Sequence, residues 1–236
     1  MRMFLCASLG EFHVDEPLPW LLDAARNDPN GHVRRRAIGA AAVLAGWFAD
    51  QDPPQSLADA ELAAVLAAMA DSEDALDRSA AAFTLGVFAA GPGADPQLRE
   101  LLAELVGDFY FDARYNAATG LARVGDLRSV PVLAEMLDLD QITASIESEQ
   151  AVNPKLPGAQ PPDEVVVRLR ADKRDTLIKN GLVGVDMLLK HYAPTDLPQL
   201  GKALQALNAQ AADVRDPGPI PKTLQNAIAQ MAERFE

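Results

Sequence analysis

Apolar positions recur along this chain in one spacing, each time counted from an arginine. The segments Arg2-x-x-Leu5-Cys6-x-Ser8-Leu9-Gly10, Arg34-x-x-Ala37-Ile38-x-Ala40-Ala41-Ala42, Arg78-x-x-Ala81-Ala82-x-Thr84-Leu85-Gly86 and Arg114-x-x-Ala117-Ala118-x-Gly120-Leu121-Ala122 share one template. Phe12, Leu44, Phe88 and Val124 stand two residues beyond them, so the apolar positions fall at +3, +4, +7 and +10 from the arginine. That spacing is one stripe of an amphipathic helix, and a strand cannot gather it on one face. Small residues at +3 or +8 let a neighbouring helix approach closely. Successive arginines are 32, 44 and 36 residues apart, room for two short helices and two turns per unit.

A second helical pattern precedes the later templates. Pro19-Trp20-Leu21-Leu22 to Arg26, Asp59 to Met69 and Pro96 to Val106 each begin with Pro or a capping Asp and carry Leu pairs. Turn chemistry joins the partners: Asp28-Pro29-Asn30-Gly31, Asp71-Ser72-Glu73-Asp74 and Gly107-Asp108. Arg2 to Pro19 and Arg114 to Pro131 are both 17 residues apart, with Trp20-Leu21 matching Val132-Leu133. The first template has no helix before it, so its unit is only half present, with Met3, Phe4, Leu5 and Leu9 crowded on it. These residues are expected to dock on upstream repeats of a longer chain, on another copy, or on a partner.

The pattern breaks after Leu137. Three regions are expected: repeats over 1–137, an insertion over 138–172, and closing helices over 173–236, with Lys173 to His191 carrying weaker template positions at Arg174, Leu177, Ile178 and Leu182. Within the insertion, Asn153 to Pro162 reads as a Pro-rich loop. Val165-Val166-Val167-Arg168-Leu169-Arg170 alternates like a strand, which predicts a small β-ribbon within 142–170, with a helix to Gln150 followed by coil as the alternative. Asp196 to Ala211 and Pro221 to Phe235 read as two last helices.

The recurring Arg-x-x-Ala-Ala-x-Ala-Leu-Gly pattern, most closely copied at Arg78 to Gly86, resembles HEAT repeats, in particular the short HEAT-like type of phycobilisome bilin lyases. The resemblance covers residues 2–137. It implies an all-α fold, a right-handed α-solenoid of antiparallel helix pairs in the HEAT and armadillo manner, each repeat burying its stripe against its neighbours. It implies no reaction.

Composition narrows the function. The 236 residues are 49% hydrophobic and 6% aromatic, with a net charge of −13 that lies wholly in residues 51–150. Such acidity excludes nucleic acid as the principal partner, since that binding rests on Lys and Arg against phosphate, and a basic protein partner fits instead. No run of eighteen apolar residues occurs, so no membrane span is expected. The apolar start imitates a signal peptide but lacks a small-residue cleavage site, which favours the cytoplasm. One cysteine, Cys6, forms no intrachain disulfide and reads as a buried small hydrophobe.

Catalytic, metal-binding and cofactor-binding residues are expected to be none. His13, His32 and His191 sit in no donor cluster, no His is followed by Glu, and no Gly-x-Ser-x-Gly elbow or Gly-rich phosphate loop occurs. Arg34, Arg78 and Arg114 recur with Asp28, Asp71 and Asp108 six or seven residues earlier. They read as a ladder of hydrogen bonds that sets repeat register, or as a ligand-facing row. Phe109, Tyr110 and Phe111, and likewise Trp47 and Phe48, either staple helix pairs or form a binding hot spot at the rim. The expected function is a non-catalytic protein-interaction scaffold, the alternative a lyase-like or accessory factor for cofactor or chromophore attachment.

Overall fold

A computed structural model of the chain describes residues 1–152 and 163–236. Among the described residues the regular elements are helices and none is a strand. The chain divides into two compact units, Met1–Val124 and Gly125–Glu236.

The first unit holds α1 (Arg2–Gly10), α2 (Leu18–Asn27), α3 (Gly31–Ala49), α4 (Ala60–Ala70), α5 (Ala75–Phe88), α6 (Pro96–Leu105) and α7 (Phe111–Arg123). The four template segments lie on α1, α3, α5 and α7, which pack one on the next as a layer, while α2, α4 and α6 form a second layer against them. Side-chain caps start several helices: Asn30 accepts from the His32 N–H, Asp59 from Leu62, Asp74 from Leu76 and Asp95 from Gln97. Each satisfies a backbone donor that the first turn leaves without an intrahelical partner. Between the layers Leu21, Leu22, Ile38, Leu44, Leu62, Leu66, Leu85, Leu98, Leu102 and Leu121 are fully buried, so the core follows the template stripe.

Small residues set the spacing of the template layer. A Cβ on Gly86 would lie 2.7 Å from the Gly120 Cα, and one on Gly10 would lie 3.0 Å from the Ala40 Cβ. The +8 residue of one helix thus rests on the +6 residue of the next, backbone nearly on backbone at α5 and α7.

In the second unit α8 (Val130–Glu135), α9 (Leu139–Val152), α10 (Asp163–Leu188), α11 (Pro198–Gln210) and α12 (Lys222–Glu233) follow. Helix α10 packs on α8, α9 and α12. Gly181 admits α8 closely, since a Cβ there would lie 3.2 Å from that of Met136. Arg174 is buried and donates to the carbonyls of Gly218 at 2.6 Å and Pro219 at 3.4 Å, fastening the segment before α12.

The β-ribbon expected within 142–170 is corrected. Its two flanks are the helices α9 and α10, with Asp138 capping the first by accepting from the N–H groups of Asp140 and Gln141. A short β-branched run satisfies its backbone inside a helix without any pairing strand, and Val165, Val166, Val167 and Leu169 are half-buried or exposed, so nothing pins them to a sheet. The Pro-rich loop from Asn153 to Pro162 lies outside the described residues. Among the described residues no helix is long and apolar enough to cross a membrane.

Candidate interaction surface

The template arginines organise the turns of the first unit. Arg78 donates through Nε to Asp108 Oδ2 at 2.6 Å and through Nη2 to Asp108 Oδ1 at 3.0 Å, while its Nη1 donates to the carbonyl of Ser72 at 2.9 Å. Arg34 repeats the scheme, reaching Asp77 Oδ2 at 2.9 and 2.6 Å and the Asp28 carbonyl at 3.1 Å. Arg114 donates to the Asp108 carbonyl at 2.9 Å. Arg2 reaches Asp28 at 2.7 and 3.1 Å. Each guanidinium therefore holds the turn before its own helix through a carbonyl, or a carboxylate on the next repeat, or both. The rigid fork of Arg suits this double duty.

Asp71 takes no place in this ladder. It stands exposed at the end of α4, and the residue six before Arg78, equivalent to Asp28 and Asp108, is Ser72. The hydroxyl of Ser72 accepts from the Asp74 N–H as Asp28 accepts from Asn30 and Asp108 from Tyr110. The missing carboxylate is supplied by Asp77, 2% exposed in the first turn of α5, which also receives Arg35 at 2.8 Å.

Charge follows this geometry. Burial pushes the Asp108 carboxyl up, but the Arg78 hydrogen bonds, the Tyr110 N–H and the charges of Arg78 and Arg114 outweigh it and hold the group below the usual carboxylate range. The Arg78 guanidinium is pushed up by its bonds to Asp108. Asp28 is lowered first by Arg2.

The aromatics read either as helix staples or as a surface hot spot divide between buried and exposed positions. Tyr110 and Phe111 are buried and in ring contact with each other at 5.5 Å. Phe109 alone of that trio stands in solvent, with the Arg78 guanidinium 4.7 Å from its ring centre. Trp47 and Phe48 are half-buried, Trp47 stacked on His13 at 4.8 Å. Met3 and Leu9 are half-buried and Phe4 and Leu5 exposed. Cys6 is buried, and burial raises its thiol pKa.

A surface the aromatic motifs do not indicate lies on the template helices. At +2, +5 and +9 the template helices carry Phe4, Ala7 and the C-cap Glu11 on α1, Arg36, Gly39 and Val43 on α3, and Ala80, Phe83 and Val87 on α5, of which Ala80 and Val87 pack against the core. Phe4 is 71% exposed, Phe83 50% and Val43 45%. On α7 the same offsets carry Asn116, Thr119 and Arg123; Asn116 donates to the Ser79 hydroxyl at 3.1 Å, and burial lowers the pKa of Arg123. The sequence carries a signal for it, since Phe83 and Val43 are apolar yet fall off the buried stripe. Among the described residues no group of three or more His, Cys, Asp or Glu could hold a metal ion.

Antiparallel helix pairs that bury their stripes against neighbouring pairs define an α-solenoid repeat protein. Residues 62–151, from α4 into α9, match the family model of HEAT repeats, which supports HEAT repeats over that segment. The match is to HEAT repeats in general. Among curated proteins none matches the chain.

Proposed function

We propose that the chain is a non-catalytic scaffold that binds a protein partner across the outward face of α1, α3 and α5. The observation that carries this reading is the exposure of a large apolar side chain on each of three consecutive template helices, Phe4 at +2 on α1, Val43 at +9 on α3 and Phe83 at +5 on α5. Contiguous apolar residues in solvent mark association sites, and large aromatic anchors dominate their energetics. The surplus of acidic residues in 51–150 suits a partner that carries positive charge. The apolar end formed by α1 serves as a second contact surface.

Phe83→Glu and Val43→Glu test the face. Both side chains are about half exposed, so stability should move by no more than about 0.5 kcal/mol. Capture of a partner retained by the wild-type chain should fall at least tenfold. Undiminished capture by both variants, with helicity intact, refutes the reading.

A further inference from the structure

The repeats compare each template position with its equivalents. At +3, Ala37, Ala81 and Ala117 are fully buried, whereas Leu5 is 59% exposed. At +10, Leu44 and Phe88 are buried, whereas Phe12 is 62% exposed. At +7, Ala41, Leu85 and Leu121 are fully buried and Leu9 is only half covered. The difference has one cause. Helices α2, α4 and α6 lie over α3, α5 and α7, and no helix of the first unit lies over α1 in that way.

What remains is a groove of about 450 Å3 between α1 and α2, lined by Leu5, Cys6 and Leu9 on one wall and Trp20, Leu21 and Ala24 on the other. Trp20 is 74% exposed. Two further features describe what fits there. Arg34, Arg78 and Arg114 each give Nη1 to a carbonyl of the turn preceding their helix; Arg2 holds Asp28 through Nε and Nη2, which leaves Nη1 to do the same. Arg26 at the end of α2 lies 3.6 Å from Glu61 at the start of α4, and the matching start of α2 presents the exposed Asp15 and Glu16, with Asp23 exposed beyond them.

We propose that this groove receives an amphipathic helix of a partner protein, laid antiparallel to α1 in the manner of α2 on α3. Its apolar residues repeat at i, i+3 or i+4 and i+7, and its last turn is basic, meeting Glu16 and its acidic neighbours. The turn that follows it offers a carbonyl to Arg2. This rests on α1 being a contact surface and names its occupant.

The test uses the full chain carrying Trp47→Phe, which leaves Trp20 as the single indole. The probe is a synthetic peptide of residues 94–109, the segment of α6, with Glu100 and Glu104 replaced by Lys. Saturable quenching or a blue shift of Trp20 emission is expected, weakened at least tenfold by Leu5→Glu on the protein and by Leu98→Ser with Leu102→Ser on the peptide. Leu5 is exposed, so its variant keeps the native circular dichroism; Ala24→Glu, on the opposite wall, provides a second disruption. Sedimentation velocity over a concentration series separates the readings. A monomeric chain that binds the peptide supports the proposal. Dimerisation abolished by Leu5→Glu assigns the groove to a second copy, overturning the proposal while keeping α1 as a contact surface. A monomer that gives no saturable response, or a response insensitive to Leu5→Glu and Ala24→Glu, overturns both.

Discussion

Replacing Asp108 by Asn asks how much one rung of the arginine ladder contributes to folding. Asp108 accepts two hydrogen bonds from Arg78 and one from the Tyr110 N–H at 2.8 Å, and its side chain is 7% exposed against 10% for that of Arg78. The amide keeps the shape and one acceptor but turns its nitrogen toward a cationic donor. Arg78 then keeps its bonds to the Ser72 and Glu73 carbonyls, at 2.9 and 3.3 Å, and at most one neutral acceptor where a carboxylate stood. Removing one partner of a buried ion pair exposes the desolvation cost of the other, so the loss should be about 2–4 kcal/mol. Arg2 and Asp28 form the control rung. The same bidentate geometry exists there, but the Arg2 side chain is 64% exposed, so water screens the pair and its loss should cost less. Urea unfolding followed by circular dichroism at constant pH gives both values, and a double-mutant cycle with Arg78→Met separates the coupling from the cap at Tyr110. A loss for Asp108→Asn no larger than for Asp28→Asn would refute the reasoning, since burial would then add nothing to the rung.

Acid should act through the same rung. Because the folded Asp108 carboxyl lies below its unfolded value of about 3.9, the contribution is complete above that pH and is lost as pH falls through the folded value. Urea midpoints measured from pH 5 to pH 3 should fall less steeply for Asp108→Asn than for wild type; equal slopes would contradict this. Gly86→Ala sets a Cβ 2.7 Å from the Gly120 Cα, forcing two backbones apart, and should lose about 1–3 kcal/mol by the same assay. Gly39→Ala, with open space around its added carbon, should be neutral or slightly stabilising through helix propensity.

The helices of the first unit were legible because each carries a long, repeated stripe, and Leu85 or Leu121 is buried where the spacing requires it. The ladder was legible at Asp28 and Asp108 but misplaced at Asp71. Only a count of six residues back from Arg78 exposes Ser72 there, and Asp77 enters from a neighbouring helix turn that no local pattern announces. The sequence left Tyr110 and Phe111 open between staple and surface because a turn aromatic faces the core or solvent according to the first turn of the next helix, which composition does not record. Val165 to Arg170 misled because β-branched residues favour strands only where a pairing strand waits. The outward face is marked in the sequence by Phe83 and Val43 standing off the buried stripe, but their shared exposure depends on how the template helices pack.

Photo-crosslinking from that face tests the central claim most directly. A benzoylphenylalanine placed at Phe83 lies on the outward side of α5, and the same residue at the exposed Ala64 lies on the other layer, on α4. Under equal irradiation of the assembled complex, the scaffold account predicts one discrete protein adduct from position 83, competed away by unmodified chain, and none from position 64. An adduct from position 64 with none from position 83 would contradict it.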